Sequence, residues 1–102
     1  MAPIVAAASD SGALTIIGGS GDGLTARMLE LYVNVNGDVF LSIERHLSTV
    51  IIPPVKKLAG EDWWLPEREG GSGYGTSAAG GGLDLRVASG VILGGYVKWM
   101  FE

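Results

Sequence analysis

The chain has 102 residues and no cysteine, and its seven basic and eleven acidic residues give a net charge of −4. This length fits one domain, residues 1–102, and the lack of cysteine excludes disulfides and thiolate metal sites. The basic residues are scattered apart from Lys56 and Lys57, so no basic stripe matches a phosphate backbone and we expect no nucleic-acid binding.

The N-terminal segment, residues 1–13, is small and apolar, and we expect an extended arm or a short first strand there. It lacks the basic start of a signal peptide, which predicts cytoplasmic synthesis without a cleaved export signal. A short β-branched run at residues 14–17 then ends in a glycine-rich loop.

Residues 29–35 and 39–45 carry the clearest local pattern, because apolar and polar residues alternate along both runs. This period of two is typical of strands with one buried face, and it places Leu31, Val33, Leu41 and Ile43 in the core. Between the runs, Asn36-Gly37 favours a tight type I′ turn. The sequence therefore predicts an antiparallel hairpin.

Farther along, Pro53-Pro54 follows a β-branched run and excludes a central strand, because proline has no N–H for the ladder. Residues 55–59 fit either a helical turn or an edge strand. Residues 60–66, which include Trp63 and Trp64, predict a structured loop.

Residues 70–82 are mostly glycine, serine and alanine, with Tyr74 among them. We expect no regular structure there, and we expect the segment to be mobile or ordered by a neighbouring molecule, because ordering glycine costs backbone entropy.

The C-terminal part predicts strands again, at residues 83–87 and 91–101, and the second of these contains Gly94-Gly95. The latter run is too short for a membrane span, which needs ~18 apolar residues. About six short strands separated by turns predict an all-β antiparallel sandwich or small barrel, with a jelly-roll-like topology among the options.

Chemistry-bearing residues do not form a recognisable constellation. The one histidine, His46, lies near Ser42 and Ser48 in sequence, but alternation places it on a solvated strand face. Acidic residues at Glu61, Asp62, Glu67 and Glu69 are interpreted as solvated loop residues rather than Ca²⁺ ligands. We expect no enzyme activity, no cofactor and no metal site.

The run at residues 91–101 is apolar on both faces apart from Lys98. A chain of this size rarely has a third layer to cover such a strand, so a second copy is the expected cover. The predicted interface residues are Ile92, Tyr96, Trp99 and Met100. Only 18% of the residues are charged, which agrees with a partly covered surface.

The leading hypothesis is therefore a non-enzymatic structural protein that forms a dimer or trimer. Within a larger assembly it would act as a virion component, such as a capsid decoration or spike protein. The alternative is a carbohydrate- or ligand-binding module that uses Trp63, Trp64 and Tyr74, because exposed aromatic rings contact partners and sugars.

Overall fold

The fold comes from a computed structural model that describes residues 2–7, 13–35, 37–46, 49–87 and 92–102. These residues form β-strands and one short 3₁₀ turn at Glu69–Gly71. The strands are β1 (Ala2–Ala7), β2 (Ala13–Ile17), β3 (Ala26–Val35), β4 (Val39–Arg45), β5 (Val50–Lys57), β6 (Asp62–Leu65), β7 (Leu83–Val87) and β8 (Ile92–Phe101).

The strands build two antiparallel sheets with four strands each. The first sheet has the order β1-β8-β3-β6, and the second has the order β2-β7-β4-β5. The pairs β1–β8, β2–β7, β3–β6 and β4–β5 are nested, as if one long hairpin with its tip between β4 and β5 had been rolled up. This is the jelly-roll arrangement of eight strands. The predicted all-β sandwich is thus confirmed.

The core lies between the two sheets and consists of their inward-facing apolar side chains. Leu31 and Val33 of the first sheet and Leu41 and Ile43 of the second are fully buried, as the alternation predicts. Apart from Leu29, the remaining buried apolar residues come from β2, β3, β4, β6, β7 and β8 and form one cluster with them.

The predicted hairpin at residues 29–45 is wrong in its pairing, although both runs are strands. β3 pairs with β8 and β6, whereas β4 pairs with β7 and β5, so the two strands lie in different sheets. Asn36 lies outside the described residues. Both strands show the same alternation because each buries one face against the shared core from its own sheet. Such a pattern does not require the two strands to be hydrogen-bonded neighbours.

The predicted exclusion of a central strand at Pro53-Pro54 is confirmed. β5 runs through both prolines as an edge strand, and the register between Leu41 and Ile43 of its partner shifts there. An edge strand pairs on one side only, and the register shift takes both prolines out of the ladder, so their missing N–H groups cost few hydrogen bonds.

Residues 70–82 lack a strand, and backbone hydrogen bonds join part of the segment to β3. Tyr74 N–H donates to the Met28 carbonyl at 2.8 Å, and Ser77 N–H donates to the Ala26 carbonyl at 2.8 Å. The segment thus continues the edge of the first sheet beside the start of β3. The predicted absence of a strand is therefore confirmed, and β3 supplies hydrogen-bonding partners for part of the segment.

The glycine pair in β8 has one position that requires glycine. Gly95 has φ of +154°, and a Cβ built on it would lie 1.9 Å from the Tyr32 carbonyl oxygen of β3. At Gly94 a Cβ would meet nothing within 4 Å. The pair therefore combines a close approach of two backbones with an open spot on the outer face of the sheet.

Candidate binding surface

The two adjacent tryptophans lie on opposite sides of the first sheet. They belong to strand β6 rather than to the predicted loop, and in it Trp63 pairs with Val33 and Trp64 pairs with Tyr32. Trp63 packs in the core with 5% of its surface exposed, whereas Trp64 faces outward with 58% exposed. Neighbouring strand residues point to opposite faces, so only one of the two remains available to a ligand or partner.

Trp64 belongs to a row of three aromatic residues that crosses the outer face of the first sheet. Tyr32 is the cross-strand partner of both Trp64 and Tyr96. The Tyr32 and Tyr96 rings stack with their centroids 5.7 Å apart. We call the residues Trp64, Tyr32 and Tyr96 the aromatic row.

Glu30 on β3 connects two members of the aromatic row. Its Oε2 accepts a hydrogen bond from the Tyr96 hydroxyl at 2.6 Å and another from Trp64 Nε1 at 3.1 Å. These two bonds, that from Tyr96 first, hold the pKa of Glu30 below its ordinary value. The same bond to Glu30 raises the pKa of Tyr96, because the hydroxyl proton is held by the carboxylate.

Polar groups flank the aromatic row on both sides. Asn34 Nδ2 donates to Asp62 Oδ1 at 2.6 Å, and a hydrogen bond to Asp62 raises the pKa of Tyr32. On the other side the Lys98 ammonium pairs with Glu67, which raises the pKa of Lys98. On the outer face of the first sheet, the aromatic row therefore lies between hydrogen-bonding groups, and the face is not purely apolar.

The residues predicted to form an interface on β8 separate between the two faces of the strand. Tyr96 and Met100 face outward: Tyr96 is partly exposed and Met100 is exposed. Trp99 instead packs against the core. The side chain of Ile92 lies outside the described residues. The inner face of β8 is covered by the chain's own core, including Val97, so only the outer face is left for a partner.

Met100 has exposed apolar neighbours at the end of the first sheet where β3 begins and β8 ends. Phe101 pairs with Ala26, and the backbones of Thr25 and Glu102 exchange two hydrogen bonds beside it. Leu24, Met100 and Phe101 are all exposed large hydrophobic residues. We call these three residues the apolar end.

Tyr74, the third aromatic residue predicted to contact a ligand, is held within its own segment. Its hydroxyl donates to the Pro66 carbonyl, the Arg68 guanidinium carbon lies 4.3 Å from its ring centroid, and its ring packs against the core. These contacts indicate a structural role for Tyr74.

The outer face of the second sheet carries an ion-pair network that the sequence did not indicate. His46 Nδ1 lies 2.8 Å from Asp84 Oδ2, and Arg86 contacts both carboxylate oxygens of Glu44 at 3.1 and 2.9 Å. Asp84 is 2% exposed, and its Oδ1 has no hydrogen-bonding partner among the described residues. His46 directly follows β4, and its side chain is half-exposed. The contact with Asp84 means that it is bonded to a buried carboxylate rather than simply solvated.

The other candidates for chemistry do not converge. Ser42 is buried on β4, and Ser48 lies outside the described residues. Glu61 accepts a hydrogen bond from the Leu58 N–H, while Asp62 and Glu67 have the separate partners given above. In the part of the chain that the structure describes, no three acidic or histidine side chains are placed to hold a metal ion.

No protein-family model matches this chain, and comparisons with curated proteins and with solved structures find no significant match. Among the described residues, no helix is long and apolar enough to cross a membrane. The class that the chain's own geometry defines is a small jelly-roll domain with an exposed aromatic row on one sheet.

Proposed function

We propose that the protein is a non-enzymatic assembly protein that forms a homo-oligomer through the apolar end of its first sheet. The observation that carries the proposal is that three large apolar side chains, Leu24, Met100 and Phe101, are exposed at one end of the first sheet, with Met100 and Phe101 on opposite faces of β8. Single exposed apolar residues are ordinary on any protein, whereas several at the same end of a sheet are more typical of an interaction site.

A second copy of the chain suits this surface because charges of both signs border it. Arg27 is the cross-strand partner of Met100, and its side chain pairs with Glu102. A two-fold interface brings the same patch of each copy together, so Arg27 of one copy can lie against Glu102 of the other. A patch with only one sign of charge would repel itself.

The size of the domain is compatible with such an interface. A specific interface buries at least ~1,000 Å² in total, or about 500 Å² on each copy. The chain exposes 5332 Å², so this requires about a tenth of its surface.

The larger assembly we propose is a virion, in which the oligomer would be a capsid decoration or spike. The jelly-roll fold is found in viral capsid domains and also in lectins, so the fold supports this role without selecting it. Antibodies against the chain should label purified particles if the protein is part of them.

The oligomer is tested by light scattering on a size-exclusion column over a hundredfold range of concentration. We expect a dimer or trimer for the unchanged protein and a monomer for Met100→Glu, because a carboxylate in an apolar contact is strongly unfavourable. Phe40→Glu is the matched control, since Phe40 is similarly exposed on the second sheet. A monomeric unchanged protein at the highest concentration would overturn the proposal.

A further inference from the structure

Trp64 is both exposed and held by a hydrogen bond. More than half of its surface is exposed, yet its only polar atom, Nε1, is bonded to Glu30. The exposed remainder of the ring is therefore carbon, presented in a fixed orientation. Because the side chain is already ordered, a ligand that stacks on it loses less conformational entropy on binding.

The surroundings of Trp64 supply groups that bind hydroxyls. Asp62 lies two residues away on β6, on the same face, and Asn34 donates to it. An ionised carboxylate has about four lone-pair positions, so Asp62 keeps acceptor capacity beyond its bonds to Asn34 and Tyr32. Gly94, the cross-strand partner of Asn34, leaves open space beside these groups.

An exposed aromatic face with fixed hydrogen-bonding groups at its side matches a sugar ring, which has an apolar C–H face and a rim of hydroxyls. A flat apolar ligand would form no hydrogen bonds with Asp62 or Asn34. A strongly polar ligand would gain nothing from the carbon surface of Trp64.

The charge of the outer face of the first sheet indicates that a bound sugar is neutral. Among the described residues of this outer face, Lys98 is paired with Glu67 and Arg27 with Glu102, which leaves the carboxylates of Glu30 and Asp62 without a cationic partner. Phosphorylated, sulfated or sialylated ligands would be repelled. A second copy stacked on the same face would likewise place carboxylates against carboxylates, so a neutral ligand fits better than self-association here.

We propose that Trp64, with Asp62 and Asn34 beside it, is a binding site for a neutral saccharide whose ring stacks on the indole. Glu30 acts as a positioning residue, since it orients the indole through Nε1. This site is separate from the apolar end and does not depend on the proposed oligomer.

The test uses the full chain on an array of immobilised neutral and sialylated oligosaccharides, followed by calorimetric titration with the best neutral oligosaccharide. We expect binding to neutral members only. Trp64→Ala should weaken it at least tenfold, because a stacked ring contributes on the order of 1.4 kcal/mol or more and this corresponds to a factor of ten. Phe40→Ala, which removes a comparably exposed ring from the second sheet, should leave it unchanged.

Three results would overturn the proposal. One is the absence of any bound neutral saccharide, and another is equal affinity of Trp64→Ala and the unchanged protein. The third is a change of molar mass in Trp64→Ala, because it would show that a second copy covers this ring. Met100→Glu separates the two proposals, since it should abolish the oligomer and leave saccharide binding to each chain intact.

Discussion

The outer face of the second sheet buries its carboxylates, whereas the outer face of the first sheet leaves its largest aromatic ring in solvent. On the second sheet, Glu44 and Asp84 are buried and bonded to Arg86 and His46. On the first sheet, Glu30 orients Trp64, which remains mostly exposed. The ion pairs on the second sheet compensate for the burial of carboxylates and support folding. The hydrogen bonds on the first sheet order a surface that folding does not require.

The largest difference should appear between the two adjacent tryptophans. Trp63→Ala removes a buried ring and should lower the free energy of unfolding by about 3–5 kcal/mol, a large part of a total of ~5–15 kcal/mol. Trp64→Ala should change it by less than about 1 kcal/mol. Urea unfolding followed by circular dichroism measures both, and similar losses would show that the outer face is structural after all.

A smaller contrast is expected between the ion pairs of the two outer faces. Arg86→Met keeps the aliphatic stem but leaves the buried Glu44 carboxylate without its partner, so the midpoint of thermal unfolding should fall on the order of 10 °C. Lys98→Met is the matched control, because its partner Glu67 is partly exposed and can be hydrated. We expect a change of no more than ~2 °C there. Equal shifts would contradict the assignment of the second network to folding.

The smallest effect concerns the protonation of Glu30. Its lowered pKa means that the folded state favours the carboxylate, so the contribution is complete above 4.5, the ordinary value, and is lost as pH falls through the lower folded value. The indole N–H resonance of Trp64 should therefore shift with a midpoint below 4.5. Glu30→Gln should abolish this transition, and a midpoint above the ordinary value would refute the described bonds.

Much of the local structure could be predicted from the sequence. Alternation identified Leu31, Val33, Leu41 and Ile43 as core residues, because burial on one face of a strand requires an apolar residue at every second position. The double proline excluded a central strand for an equally local reason, the missing N–H, and the structure places β5 at an edge.

The candidate sites were only partly visible in the sequence. The tryptophan pair stood out, but its register against Val33 and Tyr32 decides that Trp63 is buried and Trp64 exposed. The roles of Glu30 and Asp84 depend on neighbours on other strands, so no local spacing indicates them.

The sequence by itself determined that this chain is an all-β domain, which residues of two strands face its core and where a central strand is excluded, because these follow from local patterns. Only the tertiary structure decided which strands pair. Examples are the pairing of β1 with β8, in which Ala2 lies opposite Val97, and the placement of β3 and β4 in different sheets. The physical reason is that a strand's residue pattern selects the face to be buried, whereas any strand with free backbone groups can be its neighbour.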